Sequence, residues 1–120
     1  MRFALLCYSE ESFPWTKDLE DAVMEKHLAS GQRLEARGQL GPNLRLMPTT
    51  SAVTIHSGRE PLVVDGPFAE TKEALLGFWV FDAPSLEEAI AIAREFASHA
   101  PGGKLELRPV KEYSPGAALP

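Results

Sequence analysis

The chain has 120 residues, a length that suits one domain with a single hydrophobic core and leaves no room for a second. Seventeen acidic residues against twelve basic ones give a net charge of −5, which argues against nucleic acid as a partner because phosphate binding needs a basic face. No apolar run approaches the roughly 20 residues of a membrane span, and the apolar N-terminal stretch is too short for a signal peptide. We therefore expect a cytoplasmic protein without a membrane partner.

The chain begins with a predicted strand and a loop that carries two aromatic rings. Residues 2–8 form an apolar run of the length of a buried strand, and the single cysteine, Cys7, has an apolar setting that indicates a structural thiol rather than a nucleophile. The loop 9–15 contains Phe13 and Trp15. These rings either close over the core edge or contact a subunit, or they form a hydrophobic wall of a ligand pocket.

The first predicted helix covers residues 18–37. Thr16 or Asp18 is its expected N-cap, and Gly38 ends it. At roughly 100° per residue, a set of side chains falls within about 80° on one helical face. They are Leu19, Val23, His27, Ser30 and Leu34. His27 is therefore expected to point with the core-facing stripe.

A β-hairpin is predicted in the middle of the chain. Residues 41–48 begin with a Gly-Pro turn and continue as irregular or short extended backbone. The β-branched stretch 50–56 predicts a strand, and the turn 57–60 leads into a second strand over residues 62–64.

The hairpin ends at Asp65-Gly66-Pro67, where glycine permits a positive φ and proline fixes φ, so that a turn is predicted. Asp65 stands at the end of its strand, a position from which a carboxylate can project into a cleft. Polar residues near this turn either bind an anionic group of a substrate or simply brace the turn. The candidate substrate-binding residues of the chain are Lys72, Thr71, Ser57, Phe68 and Trp15.

Residues 75–81 form the most apolar run of the chain and predict a central strand covered on both faces. Ser85 and Glu88 form a capping box that opens a second helix, which extends to about His99. The stretch 104–108 alternates strictly, as an outer strand does. A single domain over residues 1–111 and a loose C-terminal tail over residues 112–120 complete the prediction.

The predicted order is strand, helix, hairpin, strand, helix, strand. With right-handed crossovers that place both helices on one face of an antiparallel sheet, this order gives an α+β ferredoxin-like sandwich with an extra hairpin strand. The second face of the sheet needs a cover that the chain itself does not supply. A homodimer in which two sheets pack face to face meets that need.

His27 and Asp65 are the candidate catalytic pair. If they hydrogen-bond, the carboxylate orients the imidazole and raises its basicity, giving a general acid or base near neutral pH. The alternative is a buried histidine held by an aspartate that caps a turn. His56 and His99 are weaker candidates, since one ends a strand and the other suits the C-terminal end of a helix dipole. No metal-ligand spacing occurs, and the proposed chemistry needs no cofactor.

The run Asp65 to Glu73, with the opening residues 1–6, the helical His27-Leu28 and the later Gly77-Phe78, resembles the DGPF branch of the YCII-related family of small bacterial proteins. The resemblance covers residues 1–110 and implies the ferredoxin-like, dimeric α/β-barrel fold. It also implies enzymes that use a His-Asp pair, a dehydrochlorinase of aromatic degradation among them. Other relatives of this branch accompany extracytoplasmic-function sigma factors.

Three functions follow as hypotheses. The first is a small dimeric enzyme in which His27 and Asp65 perform elimination or hydrolysis on a small organic molecule. The second is a non-catalytic ligand-binding or regulatory module associated with sigma-factor signalling. The third is an interaction domain in which the turn after Asp65 merely builds the dimer.

Overall fold

A computed structural model describes all 120 residues of the chain. It contains six strands, two α-helices and one short 3-10 turn. In chain order they are β1 (Arg2–Ser9), α1 (Lys17–Ala36), β2 (Leu40–Arg45), the 3-10 turn (Thr49–Ser51), β3 (Val53–Ile55), β4 (Val63–Asp65), β5 (Ala74–Asp82), α2 (Leu86–Ala97) and β6 (Lys104–Pro109).

Four of the strands form one antiparallel sheet in the order β2-β5-β1-β6. The two central strands pair Phe3 with Phe81 and Leu5 with Trp79. Without the β3–β4 hairpin, the order of elements is βαββαβ, which with this strand order is the ferredoxin-like topology. The predicted α+β class, with two helices and an antiparallel sheet, is confirmed.

The hydrophobic core lies between the helices and one face of the sheet. Its buried members are Phe3, Leu5, Leu34, Phe81, Ala83, Ala89 and Phe96. Because side chains alternate along a strand, the neighbours Ala4 and Leu6 of β1 point to the opposite face, where both are only partly buried. We call this second face the open face of the sheet. No element of the chain covers it, so its cover by a second copy stays a prediction.

Both helices begin at caps that the sequence predicts, and of the two candidates for α1 the N-cap is Thr16 and not Asp18. The Thr16 hydroxyl accepts a hydrogen bond from the Leu19 amide at 3.1 Å, and the Ser85 hydroxyl accepts one from the Glu88 amide at 3.2 Å. Gly38 follows α1 with φ of +68°, a conformation that favours glycine. The predicted face of α1 is also the buried one, with Val23, Ser30 and Leu34 buried and His27 partly buried.

The predicted hairpin exists, but it forms a two-stranded sheet of its own and does not extend the main one. We call residues 53–65 the hairpin arm. Its first strand is shorter than predicted because Thr49–Ser51 adopts a 3-10 turn, and its second strand has the predicted length but lies one residue later. The Glu11 carboxylate holds the 3-10 turn by accepting hydrogen bonds from the amide and the hydroxyl of Thr49. The turn after the arm agrees with the prediction, with Gly66 at φ of +93°.

The fourth strand of the main sheet is β2, where the sequence predicts a Gly-Pro turn followed by irregular or short extended backbone. It is an edge strand, and its pairing with β5 shifts register between Leu40 and Asn43, which accommodates Pro42. Gly77 of β5 pairs with Arg45 of this strand. A Cβ atom there would stand 2.2 Å from the Leu44 carbonyl oxygen, so the close approach of the two backbones requires glycine.

The residues after β6 contain no helix or strand. Within them the Tyr113 ring lies 4.2 Å from the Arg2 guanidinium, which also forms a bidentate ion pair with Asp82. No helix has both the length and the apolar character that crossing a membrane requires.

Candidate functional site

His27 occupies the third turn of α1, where the helix passes over β5 and the end of α2. Its ring centroid lies 6.2 Å from that of Trp79, 5.4 Å from that of Phe96 and 5.0 Å from that of His99. Gly31, one turn further along α1, allows the helix to approach the Trp79 ring, since a Cβ there would be 3.2 Å from it. The imidazole is thus held against aromatic rings and remains partly exposed.

The polar partner of His27 is His99, the second residue beyond α2. The two Nδ1 atoms are 2.9 Å apart, a hydrogen-bond distance. The other ring nitrogen of His99, Nε2, lies 3.4 Å from the hydroxyl oxygen of Ser30, which is fully buried. Helix α1 therefore contacts the end of α2 through two imidazoles and one hydroxyl.

An ion pair adjoins these groups. Arg33 Nη2 donates to the Ser30 hydroxyl oxygen at 3.2 Å and to Glu95 Oε1 at 2.6 Å. Burial acts to raise the pKa of the Glu95 carboxyl, but the hydrogen bond from Arg33 and the nearby Ser30 hydroxyl outweigh it and lower the pKa. Glu95 is therefore an anion at neutral pH. We call the five residues the histidine cluster: His27, Ser30, Arg33, Glu95 and His99.

The environment keeps both imidazoles neutral. Burial is the main cause that lowers the pKa of His27 to about 4, and the positive charge that His99 and Arg45 can carry adds to it. Burial also lowers the pKa of His99, where the attraction of Glu95 is opposed by Lys26 and Arg33. At neutral pH the pair thus consists of two uncharged rings, each with one N–H donor and one acceptor nitrogen.

A cleft of about 200 Å³ lies between the helices beside this cluster. Ser30, Arg33 and Glu95 line it, together with Arg37 and the apolar side chains of Leu34, Ala91 and Ile92. The cleft and the His99 ring therefore share the Ser30 hydroxyl. Its size admits only a small molecule or part of one.

Asp65 lies apart from the histidine cluster. It ends β4 and pairs through its backbone with Val53, and its side chain is exposed. The His27 Nδ1 atom is occupied by His99, and no hydrogen bond joins His27 to Asp65 within the chain. The chain alone does not assemble the predicted pair, and a contact between the two residues stays a prediction.

The predicted substrate-binding residues occupy two other places. Lys72 contacts Glu10 at 3.4 Å, next to the loop in which the Phe13 and Trp15 rings pack at 5.0 Å. The Thr71 hydroxyl donates to the Glu73 carbonyl at 2.6 Å. Ser57 is exposed in the loop of the arm, and Phe68 is 88% exposed after it. None of them touches the histidine cluster, so their role in substrate binding stays a prediction.

Sequence reasoning overlooked most of the histidine cluster. The sequence predicts Ser30 on the buried face of α1, and its full burial is the one local signal of a constrained hydroxyl. For His99 the sequence indicates only a residue that suits the helix dipole, because its partner lies 72 positions away in sequence. Arg33 and Glu95 look like ordinary surface charges until the two helices are packed together. No three His, Cys, Asp or Glu side chains are arranged to hold a metal ion.

The fold and the cluster define a small ferredoxin-like α+β protein with a histidine pair between its helices. Comparison with known proteins gives the family. The model of the YCII-related domain matches residues 1–114, and the chain is 46% identical over 120 residues to an uncharacterized protein of Rhizobium meliloti (strain 1021), with 97% of each chain covered. The chain belongs to the YCII-related family, whose function is unknown.

Proposed function

We propose that the protein is a homodimeric, cytoplasmic member of the DGPF branch that binds a small organic molecule and transfers a proton to or from it with His27, without a cofactor. The observation that carries this proposal is the state of His27. The ring is partly exposed, neutral at neutral pH, and hydrogen-bonded only through Nδ1, so that Nε2 is free to exchange a proton with a bound molecule.

The low pKa of His27 belongs to a chain without a ligand. Burial and positively charged neighbours disfavour the imidazolium there. An anionic substrate beside the ring would reverse the electrostatic part of this effect and bring the pKa closer to neutrality. Proton abstraction with elimination, or hydrolysis, is the reaction class that suits a base of this kind with no adjacent nucleophile.

The surface of the single chain supports the homodimer. Its accessible area is 8903 Å², against about 6,400 Å² for a typical monomer of 13.1 kDa. Its radius of gyration is 16.0 Å, against about 13.6 Å for a compact domain of this length. Part of the excess belongs to the exposed C-terminal residues 112–120, which we propose to be a tail outside the domain of residues 1–111. The exposed apolar side chains of the hairpin arm also contribute to the excess.

The hairpin arm needs a cover. Its exposed apolar side chains are Val53, Ile55, Leu62, Val63 and Val64, each between 43% and 63% exposed, with Phe68 following at 88%. A two-stranded hairpin with both faces in water is marginally stable on its own. We propose that the open face and the arm pack on a second copy, and that the arm brings its own Ser57 and Asp65, together with Phe68 just after it, to a substrate held near the neighbouring copy. Thr71, Lys72 and Trp15 are proposed to line the same ligand from the adjoining loops.

Two measurements test the proposal. Light scattering after gel filtration is expected to give a dimer for the natural protein and for Leu28→Lys, a change at a residue 61% exposed on α1, and a monomer for Leu6→Lys on the open face. If the Leu6→Lys variant is still a dimer, the open face is not part of the dimer interface.

For the chemistry, small alkyl chlorides with an acidic C–H next to the carbon that holds chlorine, lactones and esters are incubated with the protein and followed by proton NMR. Turnover by the natural protein and its loss in a folded His27→Gln variant are expected. Turnover that persists in this variant would exclude His27 as the proton-transfer group. Asp65→Asn then reports whether the carboxylate on the arm serves the same reaction.

A non-catalytic ligand-binding or regulatory module is the second candidate, and the association with sigma-factor signalling belongs to it. The specific observation in its favour is that no hydrogen bond joins His27 to Asp65 within the chain. Saturable binding of a small molecule without any conversion would support this candidate over the first.

A further inference from the structure

The cleft between α1 and α2 contains more positive charge than the chain itself neutralises. Three of the side chains that line it are ionisable, namely Arg33, Arg37 and Glu95. Glu95 is the only carboxylate among them, and it is paired with Arg33 at 2.6 Å. Arg37 has no ion pair in the chain. The cleft therefore holds one unpaired positive charge in a protein whose net charge is −5.

Both arginines have N–H groups left over for a ligand. Arg33 uses only its Nη2 atom, which donates to Glu95 Oε1 at 2.6 Å and to the Ser30 hydroxyl oxygen at 3.2 Å. A guanidinium has more N–H groups than these two contacts need, so those on Nε and Nη1 of Arg33 have no partner within the chain. Arg37 follows Arg33 by four positions and therefore lies on the same side of α1. The unused donors of both side chains thus line one cleft.

The rest of the cleft wall is apolar. Leu34 of α1 and Ala91 and Ile92 of α2 form it, and Leu34 is 3% exposed. A small inorganic ion gains nothing from such a wall, whereas a molecule with an apolar body removes surface from water there. The volume of about 200 Å³ is smaller than the roughly 300–1,000 Å³ of a pocket for a drug-sized molecule. The occupant must therefore be small.

Charge and shape together select a carboxylate. A guanidinium binds the two oxygens of a carboxylate through parallel hydrogen bonds. A monoanion balances the one charge that is left over, whereas a phosphate dianion would bring a second negative charge close to Glu95. We propose that the cleft is a binding site for a small monocarboxylic acid, with its carboxylate on Arg37 and Arg33 and its apolar body against the side chains of α2.

This site is separate from the proton transfer proposed for His27. Neither His27 nor His99 lines the cleft, although the cleft shares the Ser30 hydroxyl with the His99 ring. Binding of the acid is therefore independent of turnover. A failed search for a reaction leaves the site standing, and the absence of binding leaves the reaction open.

The two arginines have a second explanation, which the experiment separates from the first. They lie at the C-terminal end of α1, where positive side chains stabilise a helix by opposing the partial negative charge of its last carbonyl groups. In that case they contribute to stability and bind no ligand. Because the same helix end disfavours an anion, an acid can bind there only through the guanidinium groups.

Titration of the nitrogen-15-labelled protein with sodium benzoate, followed through its amide NMR signals, tests the site. Benzamide is the uncharged probe of the same shape. Benzoate is expected to bind with a Kd on the order of 1 mM, and to shift the signals of residues 30–37 and 91–95. Benzamide is expected to bind about tenfold more weakly, because it makes no charge-assisted hydrogen bonds to arginine. Equal binding of benzamide, or no saturation by about 20 mM benzoate, would overturn the proposal.

Three variants place the binding in the cleft. Arg37→Gln removes the unpaired charge and is expected to weaken benzoate binding about tenfold. Arg94→Gln is the matched control, since it makes the same change at an exposed arginine of α2 that does not line the cleft, and it should alter the affinity less than about twofold.

Glu95→Gln acts in the opposite direction. It removes the carboxylate that competes for Arg33, so benzoate is expected to bind several-fold more tightly. Natural affinity in a folded Arg37→Gln variant, an equal loss in Arg94→Gln, or weaker binding in Glu95→Gln would each refute the site. If Arg37→Gln lowers the free energy of unfolding and leaves benzoate binding unchanged, the arginine serves only the end of the helix.

Discussion

Acidification is expected to destabilise the fold through His27. Burial, His99 and Arg45 lower the pKa of this imidazole from 6.5 to about 4. Between these two values the unfolded chain binds a proton that the folded chain does not, so that stability rises with pH across this window. The contribution is complete above about pH 6.5 and is lost as the pH falls through about 4.

The size of the effect follows from the same shift. At about 1.36 kcal/mol per pKa unit, the difference would be worth about 3.4 kcal/mol for a ring sealed from water. His27 is only partly buried, and solvent screening reduces the expected loss to about 1–2 kcal/mol. That is a measurable part of the stability of a domain of this size.

Urea unfolding followed by circular dichroism measures this loss at a series of pH values between about 7.5 and 4.5. Protein concentration must be constant, because the stability of a dimer depends on it. His27→Gln removes the titrating ring, and His56→Gln, at an exposed histidine in the loop of the arm, is the matched control. The stability advantage of the natural protein over His27→Gln is expected to shrink by about 1–2 kcal/mol on acidification, while His56→Gln follows the natural protein. If His27→Gln loses stability in parallel with the natural protein, the argument from a buried neutral ring is wrong.

Three further outcomes follow from packing and burial. Gly77→Ala is expected to lower the free energy of unfolding in urea by about 2 kcal/mol or more, because its Cβ would stand 2.2 Å from the Leu44 carbonyl oxygen. Gly102→Ala, with open space around its Cβ, should leave this free energy within about 0.5 kcal/mol of the natural protein. Burial raises the pKa of Cys7 to about 11, so alkylation by iodoacetamide at about pH 8 should be about two orders of magnitude slower than in the urea-unfolded chain. Phe96→Ala should lower the free energy of unfolding by about 3–5 kcal/mol, because Phe96 is 1% exposed and its removal would open a cavity under the His27 ring. A decrease below about 1 kcal/mol would contradict this packing.

Local sequence patterns were sufficient to predict the elements whose apolar residues recur with a clear period. The helical spacing that brought His27 onto the face of Val23 and Leu34 is a property of consecutive residues, and the structure has the same face. The apolar run of β5 and the capping box at Ser85 are local in the same sense, and both elements are where the sequence predicts them. Each of these signals is complete within about 20 residues, which is why no tertiary information was needed.

The strand β2 was harder because its signal conflicts with its structure. Gly41-Pro42 is a typical turn signal, and a proline has no N–H with which to join a ladder. An edge strand tolerates it, since only one side of the strand must pair, and the register shift between Leu40 and Asn43 absorbs the missing bond. The pairing with β5 decides whether the backbone at the Gly-Pro pair turns or continues as an edge strand. The local sequence does not contain that information, because β5 lies far away along the chain.

The partner of His27 was out of reach of sequence for a related reason. The sequence pairs His27 with Asp65 because both residue types suit acid-base chemistry, but the side chains that actually meet His27 depend on where α2 ends over α1. The chain brings His99 there, and Ser30 lies beside the second ring nitrogen of His99. The sequence therefore identifies His27 as a residue of the candidate site, but it does not identify the side chains that contact His27.

The protonation state that Asp65 of a second copy would require of His27 depends on the direction of the hydrogen bond between His27 and His99. If His27 donates to His99 from Nδ1, the neutral His27 ring presents a lone pair at Nε2, which a carboxylate would repel. A carboxylate such as Asp65 from a second copy can bind Nε2 only if that nitrogen carries a proton, and with Nδ1 still donating to His99 the ring must then be an imidazolium. Such a contact would raise the pKa of His27 instead of lowering it. A neutral His27 in the dimer would therefore leave Asp65 free to contact the substrate, whereas a charged His27 at neutral pH would join Asp65 to the ring and give the protein a general acid in place of a base.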